Sequence, residues 1–227
     1  MMLSAEDLTA LWLTLKLAFI STFILLLICL PFAYWLAKTR WRFRFLVEAL
    51  VALPLVLPPT VLGFYLLILL SPNGTLGALF SAVGAGNLAF SFTGLVIGSC
   101  VYSLPFVVQP LQTSFSSIQA RPLEVAATLG ANPWQRFYTI ILPTIRPGLI
   151  SAAVLGFAHT TGEFGVVLMI GGNIPGETQV VSIAIYDHVE TLQYQQAHLL
   201  AGILLLISFV LLVCVYGTNR KFRLGNR

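Results

Sequence analysis

The chain has 227 residues, of which 58% are hydrophobic and only 9% are charged, and its mean hydropathy is +0.91. Soluble domains carry about 25% charged residues, so this composition excludes an ordinary soluble domain and predicts one integral membrane domain over residues 1–227. The net charge of +4 does not indicate nucleic-acid binding, because the basic residues border apolar stretches and form no basic face interleaved with aromatic side chains.

The apolar stretches predict an all-α fold with five membrane spans, at about residues 11–37, 46–70, 90–112, 147–170 and 197–216. No cleavable signal peptide is expected, because the first apolar run follows two acidic residues and has no small-residue cleavage pattern. The second span carries Pro54, Pro58 and Pro59, which a span tolerates where neighbouring helices satisfy the freed carbonyl groups. An uncharged outer loop should follow it, up to about residue 89.

The basic residues predict the orientation. Four cations fall within residues 38–44, and basic loops stay in the cytoplasm, so the N-terminus should lie outside. Of the twelve Lys and Arg residues, all but Lys16 then fall on the cytoplasmic side, and the basic C-terminus lies inside. Residues 180–190 are apolar but too short to span, so we expect them to be interfacial or re-entrant. The alternative is a sixth crossing, which would put the basic tail outside.

The polar region 121–146 interrupts the apolar pattern and is predicted to be two short helices meeting at a bend. Pro122 suits a first helical turn, Glu124 is expected in that same turn beside the exposed N–H groups, and Gly130 can end the helix in the left-handed conformation. Ala126 and Ala127 are small enough for another surface to approach closely.

The second helix of this region should begin at Asn132, as N-cap, with Pro133 in its first position. Leu142-Pro143 should end it, because proline cannot continue the hydrogen-bond ladder. The flanking arginines put the region in the cytoplasm. An ordinary helical loop is the alternative interpretation of this pattern.

Glu163 is the only acid well inside a predicted span, which makes it a candidate for the transport pathway. The alternative is a structural acid that hydrogen-bonds to Thr160, Thr161 or the backbone of Gly162. His159 lies four residues before Glu163 on the predicted helix, but no third ligand follows at a recognisable spacing, so we predict no metal site.

The three cysteines, Cys29, Cys100 and Cys214, each lie in an apolar run and are expected to be buried hydrophobes rather than disulfide or metal residues. No nucleophile elbow, P-loop or zinc-protease motif is present, so energy must come from a partner or a gradient. We therefore predict a transport subunit that is not itself an enzyme. An intramembrane enzyme using His159 and Glu163, and a passive channel, are the competing classes.

No Lys or Arg lies between residues 44 and 121 or between 146 and 220, so an anionic solute would meet only neutral donors in the membrane. Tight binding would then occur on an external capture protein. Five spans are few for enclosing a solute path, and we expect a homodimer with the path on its twofold axis.

The polar region matches the E-A-A-x-x-x-G-x9-I-x-L-P signature of importer permeases in the ABC transporter superfamily. The matching residues are Glu124, Ala126, Gly130, Ile140, Leu142 and Pro143. Val125 replaces the first alanine of the pattern. Four further segments indicate which importer permeases the chain resembles, at residues 53–59, 162–165, 173–178 and 184–189. With them, the chain resembles the molybdate importer permeases over nearly its whole length.

The resemblance implies a type I importer fold in a bacterial or archaeal plasma membrane. Two permease copies would pair with two cytoplasmic ATPase subunits, which use ATP and Mg²⁺, and this chain would hold no cofactor. The helix around residues 124–130 would be the coupling helix that docks on the ATPase. An extracytoplasmic binding protein would deliver molybdate, and also tungstate, to a segment that includes Asn173, Pro175 and Gly176. Sulfate or thiosulfate permeases, which are usually longer, are the alternative.

Overall fold

The computed structural model of the chain describes residues 3–224 apart from positions 83 and 85, and it describes side chains up to residue 213. The side chains of Cys214 and of the basic tail, Arg220, Lys221, Arg223 and Arg227, lie outside the described part. The described residues form eleven α-helices and one π-helical turn, without a β-strand. An all-α fold was predicted and is confirmed.

Five stretches of helix are long and apolar enough to cross a membrane among the residues described. They are Ala5–Lys38, Pro59–Ala82, Phe92–Ser116, Pro133–Thr161 and Tyr194–Val213. Their number confirms the five predicted spans. The orientation, with the N-terminus outside, stays a prediction.

The helices are numbered in chain order. Their bounds are α1 Ala5–Lys38, α2 Arg44–Val56, α3 Pro59–Leu70, α4 Thr75–Ala82, α5 Phe92–Ser116, α6 Ala120–Thr128, α7 Pro133–Arg136, the π-helical turn Phe137–Ile141, α8 Leu142–Thr161, α9 Gly165–Gly171, α10 Val181–Glu190 and α11 Tyr194–Leu224. The α4 helix lies where the sequence predicted only an uncharged loop.

The second predicted span is not one helix, because the chain breaks between α2 and α3. Leu57 and Pro58 both adopt extended backbone, and Pro59 opens α3 in its first turn. A residue that precedes proline is pushed out of the helical region by the proline ring, and two consecutive prolines apply this restriction to Leu57 and then to Pro58. The stretch predicted as the span 46–70 is therefore made of two helices, α2 and α3.

The fourth predicted span is also broken. The α8 helix ends at Thr161, residues 162–164 leave the helical conformation, and the short α9 helix begins at Gly165. Ser182 at the start of α10 donates its hydroxyl to the backbone oxygen of Glu163 at 2.6 Å, which satisfies a carbonyl that a continuous helix would have used. The stretch predicted as the span 147–170 is therefore divided between α8 and α9.

The core lies between α1, α5 and α8, which pack against one another along their length. Leu36, Val107, Leu111 and Ile145 are completely buried there. Small residues allow this close approach: a Cβ at Gly156 would lie 2.7 Å from a methyl group of Val107. Packing of small residues is the usual way in which membrane helices come close.

Both ends of this core are fixed by polar contacts. A reciprocal capping box of Ser4 and Asp7 begins α1, and the Asp7 carboxylate also lies 2.9 Å from Nε2 of His188 in α10. At the other end of α1, Lys38 Nζ donates to the backbone oxygen of Ile118 at 3.2 Å, just before α6 begins. The short α10 helix, which sequence analysis left as interfacial or re-entrant, is thus tied to the first span.

Candidate functional site

The α6 helix is the first half of the polar region and carries three of the predicted coupling residues. It has no fully buried residue; Glu124 and Ala127 are exposed and Ala126 is half-buried. Glu124 is the fifth residue of the helix, so the prediction that it lies in the first turn was wrong. The helix begins at Ala120, four residues earlier, because Gln119 already provides the extended N-cap position.

Gly130 ends α6 as predicted. Its φ is +83°, and no heavy atom would lie within 4 Å of a Cβ built there, so only its backbone conformation requires glycine. The N–H of Ala131 donates to the carbonyl of Ala126 at 2.9 Å and the N–H of Gly130 donates to that of Ala127 at 3.0 Å. These two bonds form a Schellman motif, which satisfies the last carbonyl groups of the helix.

The second half begins as predicted, with Asn132 as N-cap. Asn132 Oδ1 accepts from the Gln135 N–H at 2.8 Å, and Gln135 Oε1 accepts from the Asn132 N–H at 2.9 Å. Pro133 occupies the first helical position. The bend between the two helices is therefore fixed by its own local hydrogen bonds.

The predicted end of this second helix at Leu142-Pro143 was wrong, because the helix continues into α8. The π-helical turn Phe137–Ile141 precedes the proline, and the N–H of Leu142 reaches back five residues to the carbonyl of Phe137. Pro143 has no N–H and its ring clashes with the carbonyl four residues earlier in an α-helix. The wider turn accommodates the proline; Ile140 within it and Leu142 directly after it are half-buried.

A group of exposed apolar side chains on the polar region was not identified from the sequence. It consists of Val125, Leu129, Trp134 and Tyr138, which are 57%, 81%, 70% and 60% exposed. The signal was present, since these four large apolar residues lie in a region that also carries Glu124, Gln135 and three arginines. Exposed large apolar side chains grouped in this way favour a protein-binding surface.

The predicted outer segment is exposed and held by hydrogen bonds at its base. Asn173, Pro175 and Gly176 are exposed, and Gly176 has a φ of +81°. Asn173 Nδ2 donates to Asp187 Oδ2 at 2.6 Å, which ties the segment to α10. Thr178 is completely buried, donates to the carbonyl of Gly171 at 2.7 Å and accepts from the N–H of Ile174 at 3.2 Å.

We expect Thr178→Val to loosen this segment while Thr178→Ser leaves it intact. Valine keeps the shape but leaves a buried carbonyl and an N–H unpaired, which costs about 1–3 kcal/mol. Limited proteolysis within residues 173–177 should therefore be faster in the valine variant only. Equal cleavage of the two variants would contradict this role for the hydroxyl.

The residues around Glu163 are brought together by the break between α8 and α9. Glu163 is 3% exposed, and neither carboxylate oxygen has a hydrogen-bond partner among the described residues, although the Ser99 hydroxyl lies beside it. Its backbone N–H donates to the carbonyl of Thr160. The predicted alternative, in which the side chains of Thr160 and Thr161 satisfy the carboxylate, does not hold.

Those two threonines have other partners. Thr161 Oγ1 donates to the carbonyl of Phe157 at 2.7 Å, and Thr160 Oγ1 lies 2.9 Å from Ser103 Oγ in α5. Ser103 Oγ also lies 2.9 Å from Nδ1 of His159. The sequence spacing suggested that His159 and Glu163 share one helical face. They do not, because Glu163 lies beyond the end of α8.

No group of three potential metal-ligating His, Cys, Asp or Glu side chains occurs in the described part of the chain. Cys29 and Cys100 are free thiols, the first buried and the second half-buried. Cys100 Sγ lies 3.7 Å from the backbone oxygen of Ser21, as expected for a small side chain packed between α5 and α1.

The sequence matches the family of binding-protein-dependent transport system inner membrane components over residues 29–222. It is 57% identical over 225 residues to the molybdenum transport system permease protein ModB of Azotobacter vinelandii, and the alignment covers 99% of each chain. The corresponding Escherichia coli K12 protein is 34% identical over 84% of this chain and 83% of its own. The E. coli K12 sulfate transport system permease protein CysT is also 34% identical, over 81% of this chain and 67% of its own.

Solved structures of ABC importers share the fold. A bacterial importer of the acidic polysaccharide alginate superimposes with a TM-score of 0.76 at 20% identity, over 96% of this chain and 80% of its own. The MetNI methionine transporter superimposes with a TM-score of 0.65 at 21% identity, over 92% of this chain and 94% of its own. The type I importer fold implied by the signature motif is thus confirmed.

The match extends over most of the chain and agrees with the five apolar spans and the signature residues. The resemblance stated from the motifs is confirmed, and the chain is a transport subunit of an inner membrane. The chain belongs to the family of binding-protein-dependent transport system inner membrane components and, within it, to the molybdenum transport system permeases.

Proposed function

We propose that this chain is the membrane-spanning subunit of an ATP-driven molybdate importer that also carries tungstate. The observation that carries the proposal is the 57% identity to a molybdenum transport permease over 99% of both chains. Two copies form the translocation path on their twofold axis. The chain itself holds no cofactor, and ATP and Mg²⁺ are used by two cytoplasmic ATPase subunits.

The polar region from α6 to the π-helical turn is the proposed ATPase contact. Its support is the exposed α6 helix around Glu124, Ala126, Ala127 and Gly130, together with the exposed apolar group of Val125, Leu129, Trp134 and Tyr138. The continuous helix from Pro133 through Ile140, Leu142 and Pro143 to Thr161 gives a direct mechanical connection. A push on α7 would thus reach the α8 span without an intervening loop, and α6 is joined to α7 by the short bend at Gly130 and Asn132.

The opposite end is the proposed contact for the extracytoplasmic binding protein that delivers the oxyanion. Asn173, Pro175 and Gly176 supply an exposed surface whose base is fixed by Thr178 and Asp187. The break that contains Glu163, together with Thr160 and Thr161 at the end of α8, is the proposed pathway region. Its support is the discontinuity of two helices that meet inside the membrane, which is a usual feature of transport sites.

The test is uptake by the complex reconstituted in vesicles with its ATPase and binding protein. We expect ATP-dependent accumulation of molybdate and tungstate, and none in vesicles that contain the permease alone. ATP-independent flux through the permease alone would favour a channel instead.

Sulfate transport is the second candidate, because the identity to the E. coli sulfate permease equals that to the E. coli molybdenum permease, at 34%. A competition experiment distinguishes a molybdate importer from a sulfate importer. A hundredfold excess of sulfate should leave molybdate uptake unchanged when the molybdate binding protein is used. Strong inhibition by sulfate would instead favour the sulfate system.

A further inference from the structure

The two helix breaks lie against each other. A Cβ built on Gly165, the first residue of α9, would lie only 2.8 Å from Cβ of Pro59, the first residue of α3. Beside this contact is a cavity of about 590 Å³, bounded by the start of α3, by α5, and by the end of α8 with the following break. The volume is sufficient for a small anion together with several water molecules.

The polar side chains that line this cavity are few and include no lysine or arginine. They are Thr60, Tyr102, His159 and Glu163. The cavity also adjoins the N-terminal end of the twelve-residue helix α3, where the helix dipole is positive. An anion that enters here meets neutral donors and a helix dipole rather than a fixed cation.

Glu163 would repel an anion if it were ionised. Its side chain is 97% buried, and neither oxygen has a hydrogen-bond partner in the described residues. An isolated carboxylate in such surroundings is costly, and a group placed there is held neutral instead. The groups with titratable protons around it, Cys100 and Tyr102 on α5 and His159 on α8, include no permanent cation that would stabilise the charged form.

His159 is held in a fixed orientation at the wall of the cavity. Its ring stacks on Phe106 with centroids 3.9 Å apart and lies 4.6 Å from the ring of Tyr102. Its Nδ1 atom is engaged by Ser103 Oγ, which also bonds to Thr160 Oγ1. Its Nε2 atom has no hydrogen-bond partner among the described residues.

We propose that this cavity is a transit site for a tetrahedral oxyanion and that His159 is the side chain that positions it. In this assignment the ring proton of His159 is on Nε2, which donates to the anion, while Nδ1 accepts from Ser103 Oγ and Ser103 Oγ accepts from Thr160 Oγ1, over the two 2.9 Å contacts described above. Glu163 stays neutral and leaves the cavity without negative charge. The proposal rests on the importer function given above. The oxyanion binds weakly in this cavity and stays hydrated, so the cavity does not discriminate between oxyanions.

The test uses the complete importer and whichever tetrahedral oxyanion, molybdate or sulfate, the wild-type complex accumulates. His159→Gln places an amide N–H close to the position of Nε2, whereas His159→Asn reaches only the position of Nδ1. We expect His159→Asn and His159→Leu to lower the number of anions moved per ATP at least tenfold, because a hydrogen bond to a charged group is lost. His159→Gln should keep at least a third of the wild-type value.

Binding-protein-stimulated ATP hydrolysis separates positioning from a structural role. It should stay within twofold of wild type in all three His159 variants. Loss of hydrolysis together with uptake, or equal defects in the Gln and Asn variants, would overturn the assignment. Glu163→Gln, a neutral replacement of similar shape, should transport at no less than half the wild-type rate, and a tenfold loss there would refute a neutral Glu163. Absence of uptake by the wild-type complex with either anion would instead reject the proposed function.

Discussion

Replacing Gly130 with alanine is expected to lower ATP-driven uptake about 5–30-fold while the chain remains in the membrane. The reason is conformational, since φ is +83° at this position and no atom would lie within 4 Å of the added Cβ. An L-residue in the left-handed conformation costs about 1–2 kcal/mol, which corresponds to a factor of about 5–30 in an equilibrium. The native bend between α6 and α7 would then be less populated, by this factor, relative to its other conformations.

The partner's ATP hydrolysis should continue in this variant, because the residue lies on the coupling surface and not in a nucleotide site. Uptake and hydrolysis measured on the same vesicles give the ratio of anions moved to ATP consumed. We expect this ratio to fall, and more steeply for Gly130→Trp, whose bulk would also obstruct a docking partner. Full transport by Gly130→Trp would contradict the coupling role of this bend.

Gly86 supplies a matched control. Its φ is +80°, and it too has no atom within 4 Å of a built Cβ, but it lies in the connection between α4 and α5. Gly86→Ala therefore introduces a similar backbone strain at a distance from the proposed ATPase contact. We expect normal coupling in this variant, and an equal loss in both variants would show that the effect is not specific to the bend.

The bend could be predicted from sequence because its signals are local. Gly130 provides the left-handed residue, and Asn132 and Pro133 provide a cap and a first turn, so each element needs only residues within a few positions of itself. Glu124 was placed in the wrong turn because the N-cap at Gln119 carries no side-chain signal.

The helix breaks could not be predicted with the same ease. Pro31, Pro54, Pro105 and Pro110 all lie inside helices, so a single proline does not mark a break in a membrane span. The break before Pro59 has a local cause in the double proline. The break at Glu163 depends on Ser182, nineteen residues later, and on the contact with Pro59, which only the folded chain brings together.

The packing of α5 against α8 is expected to fail when Gly148 receives a side chain. A Cβ there would lie 1.8 Å from Ser114 Oγ, 2.7 Å from Ser114 Cβ and 3.0 Å from the carbonyl oxygen of Pro110. Rotation of the serine side chain would move only its hydroxyl, so the two helices must separate. Overpacking of this kind costs about 1–3 kcal/mol, and Gly148→Ala should lower the midpoint of thermal unfolding of the purified protein in detergent.

Ser114→Gly provides the test of the cause, because it removes both the Cβ and the hydroxyl that the new methyl group would meet. The double variant should recover most of the lost stability, with a coupling energy of about 0.5–3 kcal/mol in a double-mutant cycle. Gly202→Ala on α11 is the control, since no heavy atom lies within 4 Å of a Cβ built there. It should be neutral or slightly stabilising, as alanine favours helix more than glycine does. Additive effects of Gly148→Ala and Ser114→Gly would show that the strain arises elsewhere than in this contact, and would count against the close packing of α5 on α8 at this position.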